Sequence, residues 1–552
     1  MRFKKAHLLV AGLLITSTSF LSFKPDDKYF EIAKNLDIFA TLFKEVNKYY
    51  VEEISPTDLV NIGINSMLGT LDPYTNYIPE EQLDDYRTMT TGEYGGIGAI
   101  ISKRDDRVLV VMPNEGYAAY RAGLKIGDEI LEIDGQDVRG KSISEISRML
   151  KGEENTTINL LVKRFSEASP VRMQINRERI HLNNVPYYGM VEGNIGLIQL
   201  TDFTQNASRE VKNALIELKK KGAEKIILDL RGNPGGLLSE AINVANVFLP
   251  RGSKVVETKG KIEDWNKSHK ALNTPLDVNI PLAVLIDRGS ASAAEIVSGV
   301  LQDYDRGVLV GERSFGKGLV QQTLPLSYNS KLKITVAKYY IPSGRCIQEI
   351  DYSHRNEYGM ASRVPDSLRV PYKTRGGRKV FDGGGIDPDL RPEQKRLSPI
   401  TRSLISKGLV FDYATAYRHN RPSIAAPKSF TFTEADYQAF KNWLKDKDYD
   451  YETRVEKLLE DLVASSKKER YYQDIEKQIN DLRNRISHNK ERDLEKFKEE
   501  IIEELEAEIA TRYYLHKGQI EASFDDDPDI NTALEVLKDE PRYDEILTAA
   551  YN

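Results

Sequence analysis

From Asn194 onward, short continuous apolar runs alternate with stretches whose apolar residues recur every three or four positions. That is the pattern of strands interleaved with helices in an α/β layer. Ile195 to Leu200 predicts a strand; Val211, Ala214, Leu215 and Leu218 mark one helix face closed at Gly222; Ile226 to Leu230 predicts the next strand. A helical stretch from Leu237 to Leu249 and two buried-looking strands, Leu282 to Ile286 and Val308 to Val310, continue the series.

The flanks of this core have different textures. Leu36, Phe39, Ala40, Phe43, Val46 and Tyr50 follow a helical period, which predicts a helical lead-in from Tyr29 to about Arg87. Around Thr90 the sequence becomes glycine-rich and β-like, with strands expected at Val108 to Met112, Glu129 to Ile133 and Thr157 to Val162, separated by Gly127-Asp128 and Asp134-Gly135 turns. Asp351 to Asp387 predicts a long, irregular, mobile connection. Beyond Pro399 the chain is helical and charged. Ile475, Ile479, Leu482 and Ile486, then Leu494, Phe497, Ile501 and Leu505, form a stripe too short for a long coiled coil, so a solvated bundle is expected.

Composition removes several function classes. A formal net charge of −6 gives no overall basic field to gather a phosphate backbone, so no nucleic-acid partner is expected. The single cysteine, Cys346, cannot form an internal disulfide, and the seven histidines show no recognised ligand spacing, so neither metal nor cofactor is expected. Residues 1–24 open with a Lys-rich flank and an apolar run, which predicts a signal peptide or N-terminal anchor and an exported protein of the periplasm or cell envelope, membrane-associated only through this segment. With no cysteine after the run, a lipid-modified N-terminus is not available.

Two windows carry chemistry. Asp287-Arg-Gly-Ser-Ala-Ser-Ala-Ala-Glu-Ile-Val follows an apolar strand and leads into a helix, so Ser292 stands at a strand-to-helix turn with helix N–H groups nearby. Ser292-Ala-Ala-Glu295 is equally a capping box, in which the serine only satisfies an orphan amide. The second window, Gly311-Glu-Arg-Ser-Phe-Gly-Lys-Gly-Leu-Val-Gln-Gln, places Lys317 between two glycines after a core strand. A buried lysine loses its proton more readily and can serve as a base to a serine. Gln321 could then direct its amine. The same window matches a P-loop up to the residue after the lysine, but Gly318 stands where a magnesium-binding Ser or Thr is needed. The glycine-rich turn Leu230-Arg-Gly-Asn-Pro-Gly-Gly236 could hold an oxyanion or a phosphate.

Together these windows, with Lys317 25 residues after Ser292, closely resemble the carboxyl-terminal processing proteases, Ser/Lys endopeptidases of the S41 type that carry a PDZ domain. The resemblance implies an α/β, crotonase-like (ClpP-like) catalytic core with an inserted PDZ domain and helical N- and C-terminal regions. The segments are 25–90 for the N-terminal helical region, 91–176 for the PDZ domain, 177–395 for the protease core and 396–552 for the charged helical extension. By resemblance Ser292 is the nucleophile, Lys317 the general base and acid, and Gln321 orients Lys317; the Ala293 N–H and one N–H of the Gly235-Gly236 turn form the oxyanion hole. Tyr94, Gly95, Gly96, Ile97 and Gly98 stand where the peptide-carboxylate loop belongs, and Ala122-Gly-Leu-Lys-Ile-Gly-Asp to Gly135 matches the most recognisable PDZ stretch. Expected partners are protein substrates with accessible C-termini, an adaptor protein, and a second copy of the chain through the helical regions. The rival from another class is a catalytically silent PDZ scaffold that binds protein C-termini.

Overall fold

The computed structural model describes residues 27–357, 359–486 and 490–548. The expected signal or anchor segment, 1–24, lies outside them. The chain divides into two compact units, the first ending at Tyr77 and the second beginning at Ile78. In the first, helices run over Asp27–Tyr49 and Pro56–Gly69, the latter started by the Ser55 hydroxyl accepting from the Asp58 N–H and by Pro56 in the first turn. The predicted lead-in helix forms, but its apolar stripe faces outward: Leu36 is 64% exposed and Phe39 53%. No helix of the described residues is long and apolar enough to cross a membrane.

In the second unit, the β-rich module is a six-stranded sheet in the order Ala99–Arg104, Arg107–Pro113, Glu129–Ile133, Thr157–Lys163, Val171–Asn176, with Gln136–Asp137 beside the third. Helix Ile143–Leu150, opened by a Ser142/Glu145 capping box, buries Ile146 and Leu150 against it. Its core is its own, built from Val108, Val110, Ile130, Ile133, Ile158 and Leu160 among others.

The α/β layer is a five-stranded sheet: Tyr187–Glu192, Ile195–Gln199, Lys225–Asp229, Leu282–Ile286 and Val308–Gly311. The first pair is antiparallel and the rest are parallel. Side chains on a strand alternate between faces, and the alternation sorts the core into two halves. Ile226, Leu228, Leu282, Val284 and Ile286 pack toward helices Ala207–Lys220, Leu238–Phe248 and Ala293–Asp303. Ile227, Ala283, Leu285, Val308 and Val310 pack toward Ile530, Ala533, Leu534, Leu537, Tyr543 and Ile546.

Those last residues belong to helices Pro528–Lys538 and Glu540–Leu547, which corrects the expectation of a solvated C-terminal bundle. The end of the chain is one of the two layers that cover the central sheet, and the Tyr543 hydroxyl accepts from the Leu282 N–H at 2.9 Å. The high charge of the surrounding C-terminal region hid this, because it masks the apolar face that these two short helices bury. The expected stripe is also divided: Ile479 packs with Leu459 and Val463, whereas Leu494, Ile501 and Leu505 join a separate cluster around Tyr413 and Phe440. The region after Asp351 is more ordered than expected, with ladders pairing Ile350–Arg355 with Ala361–Arg363 and Pro371–Lys373 with Lys379–Phe381.

Candidate active site

Ser292 is the residue before helix Ala293–Asp303, at φ 54° and ψ −108°. Positive φ is costly for a residue with a Cβ and persists only where the surroundings impose it. Here they do. The Ala291 N–H donates to the Asn233 carbonyl at 2.9 Å, and the Asp287 carboxylate accepts from the N–H groups of Gly232, Gly289 and Ser290 at 2.8, 2.9 and 3.0 Å. Ser290 is fully buried, its hydroxyl donating to the Leu230 carbonyl at 2.8 Å, so it serves the turn and not the cleft.

The glycine-rich turn lies directly against this elbow. A Cβ on Gly235, at φ 100°, would sit 2.7 Å from the Ala291 carbonyl oxygen and 2.9 Å from the Ala293 nitrogen, so only glycine permits the approach. The Gly235 N–H is already committed, donating to Asn233 Oδ1 at 2.8 Å. Among the described residues the N–H groups of Gly236 and Ala293 make no hydrogen bond. Asn233, whose Nδ2 donates to the Leu200 carbonyl at 2.7 Å, fixes the turn between the core strand and the serine. Sequence reasoning passes over Asn233 and Asp287; their signal is a short polar residue beside each glycine cluster, the usual composition of a side-chain-braced turn.

Glu295 joins the two windows. It is wholly buried, and its Oε2 accepts from both the Ser292 N–H at 2.8 Å and the Lys317 N–H at 2.9 Å. Its Oε1 accepts from the Gly316 N–H at 2.7 Å and the Ser314 hydroxyl at 2.6 Å. Burial pushes this carboxyl up to about 7, against the four donors, which favour the ionised form. In sequence Glu295 reads only as the partner in a cap; it does cap Ser292, taking its N–H, and it takes three long-range donors besides. The amides that a P-loop would offer to phosphate are thus turned onto an internal carboxylate, which removes the nucleotide reading of Gly311 to Gly318.

Tyr339 repeats the arrangement from the other side. Its buried hydroxyl lies 2.7 Å from the Lys317 carbonyl oxygen and 3.2 Å from that of Ser292, sharing its proton between them. One carboxylate therefore grips the N–H groups of Ser292 and Lys317, and one phenol grips their carbonyls. Lys317 itself is half-buried. Its flanking glycines allow close approach: a Cβ on Gly316, at φ 90°, would meet Glu349 Cβ at 2.5 Å, and one on Gly318 would meet the Gln348 nitrogen at 2.8 Å. Gln321 lies on strand Leu319–Pro325 at a register shift, and its Nε2 donates to Thr335 Oγ1 at 3.2 Å on the neighbouring strand.

In the PDZ-like module, Tyr94 to Gly96 sit in strand Glu93–Gly96, paired with Glu178–His181. Ile97 is buried in the module's core, and Gly98 turns the chain at φ 75°.

Residues 194–353 match the model for peptidase family S41, 109–164 that for a PDZ domain, and 400–537 that for the C-terminal helical domain of a probable PDZ-protease. A probable CtpA-like serine protease of Staphylococcus aureus (strain bovine RF122 / ET3-1) is 36% identical over 410 residues, covering 74% of this chain and 80% of that protein. A carboxy-terminal-processing protease of Bartonella bacilliformis is 36% identical over 346 residues, 62% of this chain and 78% of the relative. Among solved structures, a photosystem II D1 C-terminal processing protease is 28% identical, with a TM-score of 0.34, over 59% of this chain and 91% of that one.

Proposed function

Because the chain belongs to peptidase family S41, the C-terminal processing serine proteases with a PDZ domain, we propose that it cleaves peptide bonds with Ser292 as nucleophile and Lys317 as its base. The observation that carries this is the double grip: Glu295 and Tyr339 each hold the backbones of both residues. A fixed mutual geometry is what a nucleophile and its base require.

The neutral Lys317 amine takes the proton from Ser292 Oγ as that oxygen attacks the scissile carbonyl carbon. The resulting oxyanion is held by the N–H groups of Ala293 and Gly236, the two donors left unused around the elbow. Lys317 then returns the proton to the leaving amine as the C–N bond breaks. Water, deprotonated by the same amine, attacks the acyl-enzyme and releases Ser292. Gln321, anchored near Thr335, directs the lysine. The PDZ module takes substrate by its terminal carboxylate at Tyr94 to Gly98, through backbone amides and strand addition. The protein acts after export, on chains of the cell envelope, with residues 1–24 as its address.

The test is cleavage of an unfolded protein with an apolar C-terminus by full-length Ser292→Ala and Lys317→Ala variants. Each is expected to lose about 10³-fold or more in kcat while remaining folded. Undiminished cleavage by either variant leaves only a peptide-binding scaffold.

A further inference from the structure

Arg231 stands between the end of the core strand Lys225–Asp229 and the glycine turn. Its Nε and Nη2 donate to Asp229 Oδ1 and Oδ2 at 3.0 and 2.8 Å, a two-pronged contact that fixes the guanidinium plane. Its remaining nitrogen, Nη1, reaches the C-terminal region, donating to Asp527 at 2.8 and 3.0 Å and to Asp529 Oδ2 at 3.0 Å. Asp527 is also the cap of helix Pro528–Lys538, accepting from the N–H groups of Asp529 and Ile530 at 2.9 and 3.1 Å. Asp529 accepts in addition from Gln394 Nε2 at 2.8 Å. The side chains of Asp229 and Asp529 are each 5% exposed and that of Arg231 22%, so the cluster is mostly shielded from water.

The chain neighbours of Arg231 give the cluster its importance. Leu230, before it, takes the Ser290 hydroxyl on its carbonyl, and Gly232, after it, donates to Asp287 of the serine turn. The oxyanion turn through Gly236 begins one residue beyond the clamp. A shift of Arg231 is therefore transmitted to the turn that faces Ser292.

We infer that Arg231 is a positioning residue, and that Asp527 and Asp529 of the C-terminal helical region set the oxyanion turn through it. The C-terminal region then contributes to turnover as well as to the covering of the sheet. This rests on the proposed assignment of Gly236 and Ala293 as oxyanion donors.

The test uses full-length Asp527→Asn and Arg231→Gln, with Arg231→Lys as the conservative variant. Asparagine caps a helix as well as aspartate does, so Asp527→Asn removes the charge and keeps the helix start. Three quantities are read: kcat and KM for an unfolded protein substrate, the rate of Ser292 modification by a fluorophosphonate, and the melting temperature. Asp527→Asn is expected to lower kcat and the modification rate about tenfold with KM within about twofold, since small misplacements of a preorganised site act on turnover. Arg231→Gln should fall further, and Arg231→Lys should recover part of the loss without the two-pronged contact. Values of kcat within about twofold of wild type for both Asp527→Asn and Arg231→Gln overturn the inference, as does a loss confined to KM or matched only by a fall in melting temperature. Ser292→Ala separates the two levels. If it still cleaves, the underlying assignment fails. If it is inactive while Asp527→Asn and Arg231→Gln are both fully active, only the clamp fails.

Discussion

The serine elbow and the PDZ module are attached to the rest of the molecule in opposite ways. Around Ser292 many ties converge: the buried Glu295 takes four donors and the buried Tyr339 reaches two carbonyls, while Asp287, nearer the surface, takes three backbone amides. The PDZ sheet meets the C-terminal helices through partly exposed contacts. Arg104 pairs with Asp412 at 2.5 Å with side chains 21% and 33% exposed, and the Phe165 and His419 rings meet edge-on at 5.7 Å. Buried polar networks are costly to disturb, whereas surface pairs contribute little. On the proposed reading, chemistry sits on the more heavily tied part of the molecule and peptide binding on the more lightly tied one.

The sharpest way to break this contrast is Glu295→Gln. An amide cannot accept from all four donors, and its own NH₂ must face at least one of them. Each buried donor left unpaired costs about 1–3 kcal/mol. We expect kcat to fall at least about 100-fold, by displacement of Ser292 and Lys317 relative to each other, with a lower melting temperature. A variant with near-normal turnover removes Glu295 from the explanation of the site. Tyr339→Phe is the milder cut. It leaves two carbonyls without their shared hydroxyl but preserves the ring in the core, so a loss of about tenfold in kcat and about 1 kcal/mol in stability is expected by steady-state kinetics and denaturant unfolding.

Much of this division is legible in the residues, because strands and glycine turns announce themselves. The period-2 split of Leu282 to Ile286 between two core clusters comes directly from an apolar run with no polar residue in it, the mark of a strand covered on both faces. What covers the second face is not legible. Helix Pro528–Lys538 carries its apolar residues amid acidic ones, and contacts to strands more than 200 residues earlier leave no local trace. The Glu295 and Tyr339 grips escape for the same reason: Glu295 makes its local cap and its long-range bonds with one carboxylate, and Tyr339 looks in sequence like any strand aromatic. The irregular composition after Asp351 conceals two short antiparallel ladders, one of them broken by a register shift between Asp351 and Arg355.

Changing the pH tests the buried side of the contrast without a mutation. Burial raises Glu295 from 4.5 to about 7. Folding therefore favours its protonated form, so its contribution to stability is fully present below about pH 4.5 and is lost as pH rises through about 7. Activity runs the other way, since the ionised carboxylate is the better acceptor for four donors. Turnover of the wild type should fall several-fold as pH drops from about 8 to about 6. Glu295→Gln should lose the part of that limb that Glu295 supplies. Identical limb shapes in the two proteins would show that Glu295 does not titrate in the working range.

The smallest effect belongs to the other side of the comparison. Arg104→Ala removes the pair with Asp412 and the cover that Arg104 gives to Gly408, where an added Cβ would overlap the guanidinium. A partly exposed ion pair is worth up to about 1 kcal/mol, so the melting temperature should move by no more than about 2 °C. Cleavage of a short peptide that reaches only the Ser292 cleft should stay unchanged, while cleavage of a protein held by its C-terminus should change through the looser seat of the PDZ module. If Arg104→Ala instead slows cleavage of the short peptide as much as Tyr339→Phe does, the PDZ seat is tied to the elbow as tightly as Tyr339 is. The division of labour between a fixed site and a shifting module would then have no physical basis.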